Sequence, residues 1–224
     1  MALSDAEEAL EEVHSRVRVC TLCPLSRSRT RAVPGEGAID AKVMFVGEGP
    51  GFDEDQQGRP FVGAAGRLLT DQLKRIGLDR QKVFITNIVK CRPPGNRDPE
   101  PGEIDACHDY LLAQIAIIEP KVICTLGRIA AHGLIDRGLS ISREHGRPRT
   151  VSGIVYLPIY HPAAALHQAR IIDSLENDFK QLRLLLDREL GPAPRSSRAT
   201  PRQAQGRPPQ VQDHPERGRG ATGA

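Results

Sequence analysis

A chain of 224 residues with 39% hydrophobic side chains is long enough for one domain with a sizeable core, and with no tryptophan and five phenylalanines that core must be mostly Leu, Ile, Val and Ala. The net charge of +3 is unevenly placed. Six of the 31 basic and two of the 28 acidic residues lie after position 190, leaving 25 basic against 26 acidic groups in residues 1–190, so a polyanion-binding surface there must come from local placement. No apolar run approaches transmembrane length, and the acidic start at 4–12 lacks the apolar run of a secretory signal.

Five cysteines without an export signal argue for a reducing compartment, hence for metal ligation or free thiols over disulfides. The expectation is a cytoplasmic monomer with no membrane association.

In chain order, Ser4-Asp5-Ala6-Glu7 reads as a capping box opening a helix with Ala6, Leu10, Val13 and Val17 at helical spacing, which delivers the chain to Cys20. Residues 43–46 form a short apolar run ending at Gly47, the pattern of a buried strand that feeds a glycine-rich loop. A helix is predicted over 65–76, with Leu68, Leu69, Leu73 and Ile76 on one face and Gly77 as its stop. A strand follows at 83–89, a helix at 101–118, a strand at 122–126 and a helix from Arg128. A strand at 155–159 runs into His161-Pro162, and a last amphipathic helix at 173–190 carries Leu175, Phe179, Leu182 and Leu186.

Strands alternating with helices predict a three-layer α/β/α domain over 1–190 with a mostly parallel central sheet. Residues 191–224 are rich in Pro, Gly, Arg, Ser and Gln without apolar periodicity, and are expected to be a disordered tail. It is either a plain solvated tail or a segment whose arginines hold DNA electrostatically or that recruits a partner protein.

In open α/β sheets ligands sit beyond the carboxyl ends of the strands. Three loops follow strands here, starting at Gly47, Lys90 and His161, and their convergence on one sheet edge is the expected active site.

Cys20 and Cys23 form a C-x2-C, and Cys91 and Cys107 supply two more thiols, the ligand count of a zinc ion or an iron–sulfur cluster. Pro24 and Pro93-Pro94 stiffen the ligand loops, and Cys107 falls within a predicted helix. Spacing alone does not choose between the two metals. Cys124, in the strand at 122–126, reads as a core residue.

The motifs G-E-G-P-G from Gly47, G-R-P-F-V-G from Gly58, T-N-I-V-K-C-R-P-P-G-N-R from Thr86 and H-P-A-A from His161 occur in this order, interleaved with the four cysteines. In that combination the chain resembles the family-4 uracil-DNA glycosylases, iron–sulfur enzymes that excise uracil from DNA. The resemblance runs from about residue 19 to 183. It implies a monofunctional glycosylase that hydrolyses the N-glycosidic bond of deoxyuridine, leaves an abasic site and begins base-excision repair. It also implies a [4Fe–4S] cluster rather than zinc on Cys20, Cys23, Cys91 and Cys107.

Bond cleavage develops positive charge on the sugar and negative charge on the departing base, so donors must face the uracil oxygens. The resemblance gives His161 the role of donor to uracil O2, and Asn87 that of reading N3–H and O4 through its acceptor and donor. Phe61 is the expected stacking partner of the flipped base, and Glu54 the residue beside uracil C5 that excludes thymine. Glu48 is the expected carboxylate for water activation or cation stabilisation, its backbone N–H being the alternative. Gly49 takes the place where the better-known glycosylases carry a water-orienting aspartate. Asp53 and Asp55 read as a solvated acidic run. Backbone N–H groups at Gly49 to Gly51 and of the H-P-A-A-A-L loop are candidates for holding phosphates. Leu166 is a candidate wedge or a helix-core residue, and Arg92, Arg97 and Arg170 are candidate strand contacts or ordinary surface arginines.

Two rivals remain. A relative that crosslinks to uracil-DNA carries a basic, histidine-bearing insertion after the T-N-x-V-K strand, and residues 91–97 here read C-R-P-P-G-N-R, without it. A non-catalytic iron–sulfur DNA-binding module would need a degenerate pocket, whereas Glu48, Phe61, Asn87 and His161 are all present.

Overall fold

The computed structural model describes residues 3–190. Helix α1 (Leu3–Val19) is followed by β1 (Glu36–Gly37), β2 (Val43–Gly47), α2 (Phe52–Gln57), α3 (Ala64–Arg75) and β3 (Phe84–Asn87). Then come α4 (Pro101–Ile118), β4 (Val122–Leu126), α5 (Arg128–Leu134), α6 (Ile141–Glu144), β5 (Arg149–Val151), β6 (Ile154–Ile159), α7 (Pro162–His167) and α8 (Ala169–Leu190). The strands lie in the order β1-β3-β2-β4-β6-β5, with the four inner ones parallel and the two edge strands antiparallel to their neighbours.

Period-two alternation decides which layer each side chain joins. Met44 and Val46 of β2 pack on one face with Leu10 and Val17 of α1 and Leu111 and Ile115 of α4. Val43 and Phe45 pack on the other with Leu69 and Leu73 of α3 and with Leu175, Phe179, Leu182 and Leu186 of α8. Both faces are covered, which is why β2 and β4 are buried at every position and not alternating. The three-layer arrangement is the predicted one.

Three details differ from the sequence reading. Helix α1 begins at Leu3, so Ser4 lies inside it and its Oγ bonds the Asp5 carboxylate at 3.3 Å instead of capping a backbone N–H. The strand expected at 83–89 ends at Asn87, because Ile88 and Val89 turn to donate to the carbonyls of Gly47 and Glu48. Asp55 is not solvated. It sits buried on α2 and accepts from Thr30 N at 2.8 Å and Arg31 N at 3.4 Å, tying α2 to the segment before β1. Asp53 is exposed, as expected. The tail proposed for 191–224 lies outside the described residues.

From β2 the chain moves to β3 on one side, then crosses to β4 on the other. That reversal is where an open parallel sheet leaves a crevice at its carboxyl edge. The ends of β2, β3 and β6 border it.

Candidate active site and thiol cluster

A cavity of about 310 Å³ opens at this edge, lined by Glu48, Gly49, Gly51, Glu54, Phe61, Asn87 and His161 among others. All seven residues predicted for the pocket therefore meet in one place. Arg97 also lines it, while its guanidinium is held by the buried Glu103 carboxylate at 2.7 and 2.9 Å.

Local geometry explains the glycines. A Cβ on Gly47 would stand 2.5 Å from Asn87 Oδ1 and 2.6 Å from Phe61 Cζ. Phe61 is itself in the left-handed region (φ +50°), a conformation costing a bulky residue about 1–3 kcal/mol. The loop is held there by Glu54, which spans the two motifs. Its Oε1 accepts from Val62 N and Gly63 N, both at 2.9 Å, and its Oε2 accepts from Gly51 N at 3.1 Å. Helix α3 can pass beneath only because residue 66 is glycine, since a Cβ there would lie 1.8 Å from the Phe61 carbonyl oxygen. The Phe61 ring is buried, with its centroid 5.7 Å from that of His161.

Asn87 ends β3 with its Oδ1 buried and without a hydrogen-bond partner among the described residues. An unpaired buried acceptor costs about 1–3 kcal/mol, so such an atom in a cavity points to a donor on a ligand. His161 caps α7, its Nδ1 accepting from Ala163 N at 3.1 Å. The ring proton is therefore on Nε2. Burial holds this imidazole down at about 4, so it is neutral at physiological pH, with Nδ1 as its acceptor and Nε2–H as its one donor. Glu48 makes no side-chain hydrogen bond among the described residues, and burial first, then the Asp98 charge, pushes its carboxyl up, with Arg128 opposing.

Several functional neighbours were not foreseen. Lys90 is fully buried, and its Nζ donates to Thr86 Oγ1 at 2.6 Å, to the Asn87 carbonyl at 2.8 Å and to Gln114 Oε1 at 2.8 Å. The signal for it was a lysine closing an apolar strand, opposite a glutamine on the buried face of α4. His145 Nδ1 lies 2.8 Å from the buried Asp178 carboxylate, with its ring centroid 4.4 Å from that of Tyr160, the residue before His161. Neither residue sits in a motif, so nothing in the sequence pointed to the pair. Arg170 lies exposed at the start of α8, away from the cavity lining.

The four cysteines come together on the α1–α4 side. Cys20 follows the end of α1, Cys23 precedes a Pro24–Arg27 turn, Cys91 follows β3 and Cys107 lies in the second turn of α4. Cys91 and Cys107 are buried, Cys20 and Cys23 partly so. Burial pushes the Cys91 thiol up, Arg29 opposes it, and Cys23 and Cys20 add to the rise; burial takes Cys107 up to about 11, with Cys91 and Cys23 among its neighbours. Arg29 Nη1 donates to Cys91 Sγ at 3.0 Å. Among the described residues no three of these donors are grouped as ligands of a single ion. Cys124 is buried in β4, as expected for a core residue.

An amide, an imidazole and an aromatic ring thus converge on one small cavity at the carboxyl edge of the sheet of an α/β domain. A family model described as the uracil DNA glycosylase superfamily matches residues 34–183. The type-4 uracil-DNA glycosylase of Sulfurisphaera tokodaii is 50% identical over 187 residues, covering 80% of this chain and 85% of the relative. That of Archaeoglobus fulgidus is 44% identical over 183 residues (78% and 92%), and that of Thermotoga maritima 49% over 162 (71% and 84%). The chain belongs to the uracil-DNA glycosylase superfamily, and within it to the type-4 branch.

The crowding at Gly47 makes a direct prediction. Gly47→Ala displaces Asn87 and Phe61, and is expected to cost about 1–3 kcal/mol of stability while lowering the single-turnover rate of uracil release about a hundredfold. Thermal unfolding and excision measured on the same preparation separate the two effects. A variant at wild-type rate would mean that the two side chains need not be held this closely.

Proposed function

We propose that this chain hydrolyses the N-glycosidic bond of deoxyuridine in DNA, releasing uracil and leaving an abasic site for base-excision repair. The observation that carries the reading is the buried, unpaired Asn87 Oδ1 at the end of β3. Uracil offers N3–H to that acceptor and O4 to the Asn87 amide N–H, whereas cytosine presents the reverse pattern. Phe61 lies against the base, and Glu54 occupies the cavity wall where thymine would carry its methyl group.

As the C1′–N1 bond breaks, its electron pair passes to the uracil ring and negative charge grows at O2, where the His161 Nε2–H donates. The sugar becomes cationic, and the Glu48 carboxylate stabilises it and orients the attacking water. Water oxygen bonds C1′, and its proton leaves to Glu48 or to solvent. Among the described residues no lysine lines the cavity, in keeping with direct hydrolysis without a Schiff base.

Cys20, Cys23, Cys91 and Cys107 would hold a [4Fe–4S] cluster, which would neutralise the thiolates and tie the N-terminal loop to the loop after β3. The burial of Cys91 and Cys107, the charge effect of Cys20 and Cys23 on Cys91 and the Arg29–Cys91 contact support it. Among the described residues no helix is long and apolar enough to cross a membrane.

A DNA oligonucleotide with a single uracil is expected to become alkali-labile at that position, with His161→Ala lowering the single-turnover rate about 10²–10³-fold, as for loss of one oxyanion donor. Wild-type rates in both His161→Ala and Asn87→Ala would refute the site, and a denaturation-resistant adduct would favour the crosslinking rival.

The pH dependence follows from two shifts. His161 is already neutral above about 4 and contributes no inflection near 6.5. Glu48 is needed ionised and its carboxyl lies above 4.5, so the rate falls as pH drops through that raised value. Glu48→Gln is expected to be slow and to lack this acid limb; an unchanged limb would assign it elsewhere.

For the metal centre, purified protein is expected to contain iron and acid-labile sulfide in equal amounts, with broad visible absorbance lost in Cys107→Ala. Stoichiometric zinc with no colour would reverse the choice of metal.

A further inference from the structure

The rim of the pocket carries an aromatic ring that neither the core nor the excision chemistry uses. Phe52 is the first residue of α2, directly after the G-E-G-P-G loop, and is 57% exposed. Its neighbours Gly51 and Glu54 line the cavity. The Arg92 guanidinium lies over the ring, 5.1 Å from its centroid, and is itself fixed by Nε donating to Asn96 Oδ1 at 2.7 Å. Asn96 and Pro93, on the same loop as Arg92, line the cavity too. Loops from two adjacent strands thus bring a phenyl ring and a planar cation into contact at the cavity mouth. With Arg92 over one face, the residue still exposes more than half of its surface.

An isolated exposed apolar side chain is ordinary on a protein surface. This one is distinguished by its place and its partner. Extruding a nucleotide uncovers the face of the base beside it. An aromatic ring can take such a face whatever the sequence, and an arginine adds charge for the neighbouring phosphate. Leu166, the wedge candidate, is 46% exposed on α7 and comes from the loop after β6, so the two features belong to different loops.

We infer that Phe52 and Arg92 form a stacking platform for the base adjacent to the uracil on the same DNA strand. The inference rests on the uracil-excision reading of the pocket. It makes the contact sequence-neutral and dependent on a neighbour that can unstack, so an unpaired strand is held at least as well as a duplex.

The test uses single-stranded oligonucleotides containing 2′-fluorinated deoxyuridine, whose glycosidic bond resists formation of the sugar cation. The nucleotide 5′ or 3′ of it is either intact or an abasic tetrahydrofuran residue. Dissociation constants are measured by fluorescence anisotropy for wild type, Phe52→Ala and Phe52→Trp. Removing the base on one side is expected to weaken wild-type binding about five- to tenfold, the low end for stacking on an exposed ring. Phe52→Ala loses the same factor on the intact strand and nothing further on the abasic one, and Phe52→Trp restores both the affinity and the flank dependence. Indifference of the wild type to both flanks, or equal flank dependence in Phe52→Ala, overturns the platform.

Release of uracil from the unfluorinated strand by wild type reports separately on the pocket. Flank-dependent binding without release would sink the excision reading and keep the platform. Release without flank dependence would do the opposite.

Discussion

The site depends on a missing side chain. Residue 47 ends a strand paired on both sides, and its carbonyl accepts from Ile88 N at 2.9 Å, so the backbone cannot move away. Two side chains from other parts of the chain must pass over it, the Asn87 amide and the Phe61 ring, and each lies where a Cβ would be. Once that space is shared, the rest is forced. Phe61 takes a left-handed backbone to lay its ring there, Glu54 holds the loop with three backbone hydrogen bonds, and position 66 must be glycine to clear the Phe61 carbonyl. Strain of this kind persists only where the surroundings over-determine it.

A second constraint couples the pocket to the thiol side. Lys90 carries an amino group with no access to water, which burial brings down to about 7, a costly placement unless its three hydrogen bonds are made. All three are: by Thr86, the Asn87 carbonyl and Gln114. Gln114 Nε2 and Thr86 Oγ1 in turn donate to the Pro34 carbonyl, both at 2.8 Å. One polar knot thereby joins β3, α4 and the segment before β1. Asn87, the proposed base-reading residue, and Cys91 and Cys107, which belong to the thiol set, are all carried by elements that this knot ties together. Loosening α4 would be felt at the base-reading amide through the Lys90–Asn87 bond, without any contact between the thiols and the cavity.

The sequence announced elements wherever periodicity was long or both faces were buried. Residues 101–118 read as a helix and form one, because Pro101 and Glu103 open it and Leu111, Ile115 and Ile118 recur toward the core. The apolar run before Gly47 could only be a buried strand. Helix α2 was missed, since six residues of F-D-E-D-Q-Q carry no apolar period, and Asp55 was misread because its partners are backbone N–H groups 24 and 25 residues earlier. The pocket residues were legible from motifs that end strands. What holds them was not: the left-handed Phe61, the three bonds to Glu54 and the buried Lys90 all depend on long-range approach, which no local pattern encodes.

The charge arrangement of the pocket has its own logic. Uracil departs as an anion, and a cationic imidazole would seem the stronger donor. It would also have to be buried as a charge, and the carboxylate whose charge acts on it, Glu54, already has both oxygens committed to backbone N–H groups. A neutral imidazole avoids that cost. With Nδ1 occupied by Ala163 N–H it cannot switch tautomer, so it presents a fixed donor at Nε2. Such a donor binds a neutral carbonyl weakly and an oxyanion strongly, the differential that accelerates a reaction. In the proposed mechanism Glu48, which also lines the cavity, is then the carboxylate available to the sugar, where the positive charge forms. Separating a neutral donor on the base side from an anion on the sugar side matches the polarity of a breaking glycosidic bond, and the fold achieves it by taking the two residues from loops after different strands.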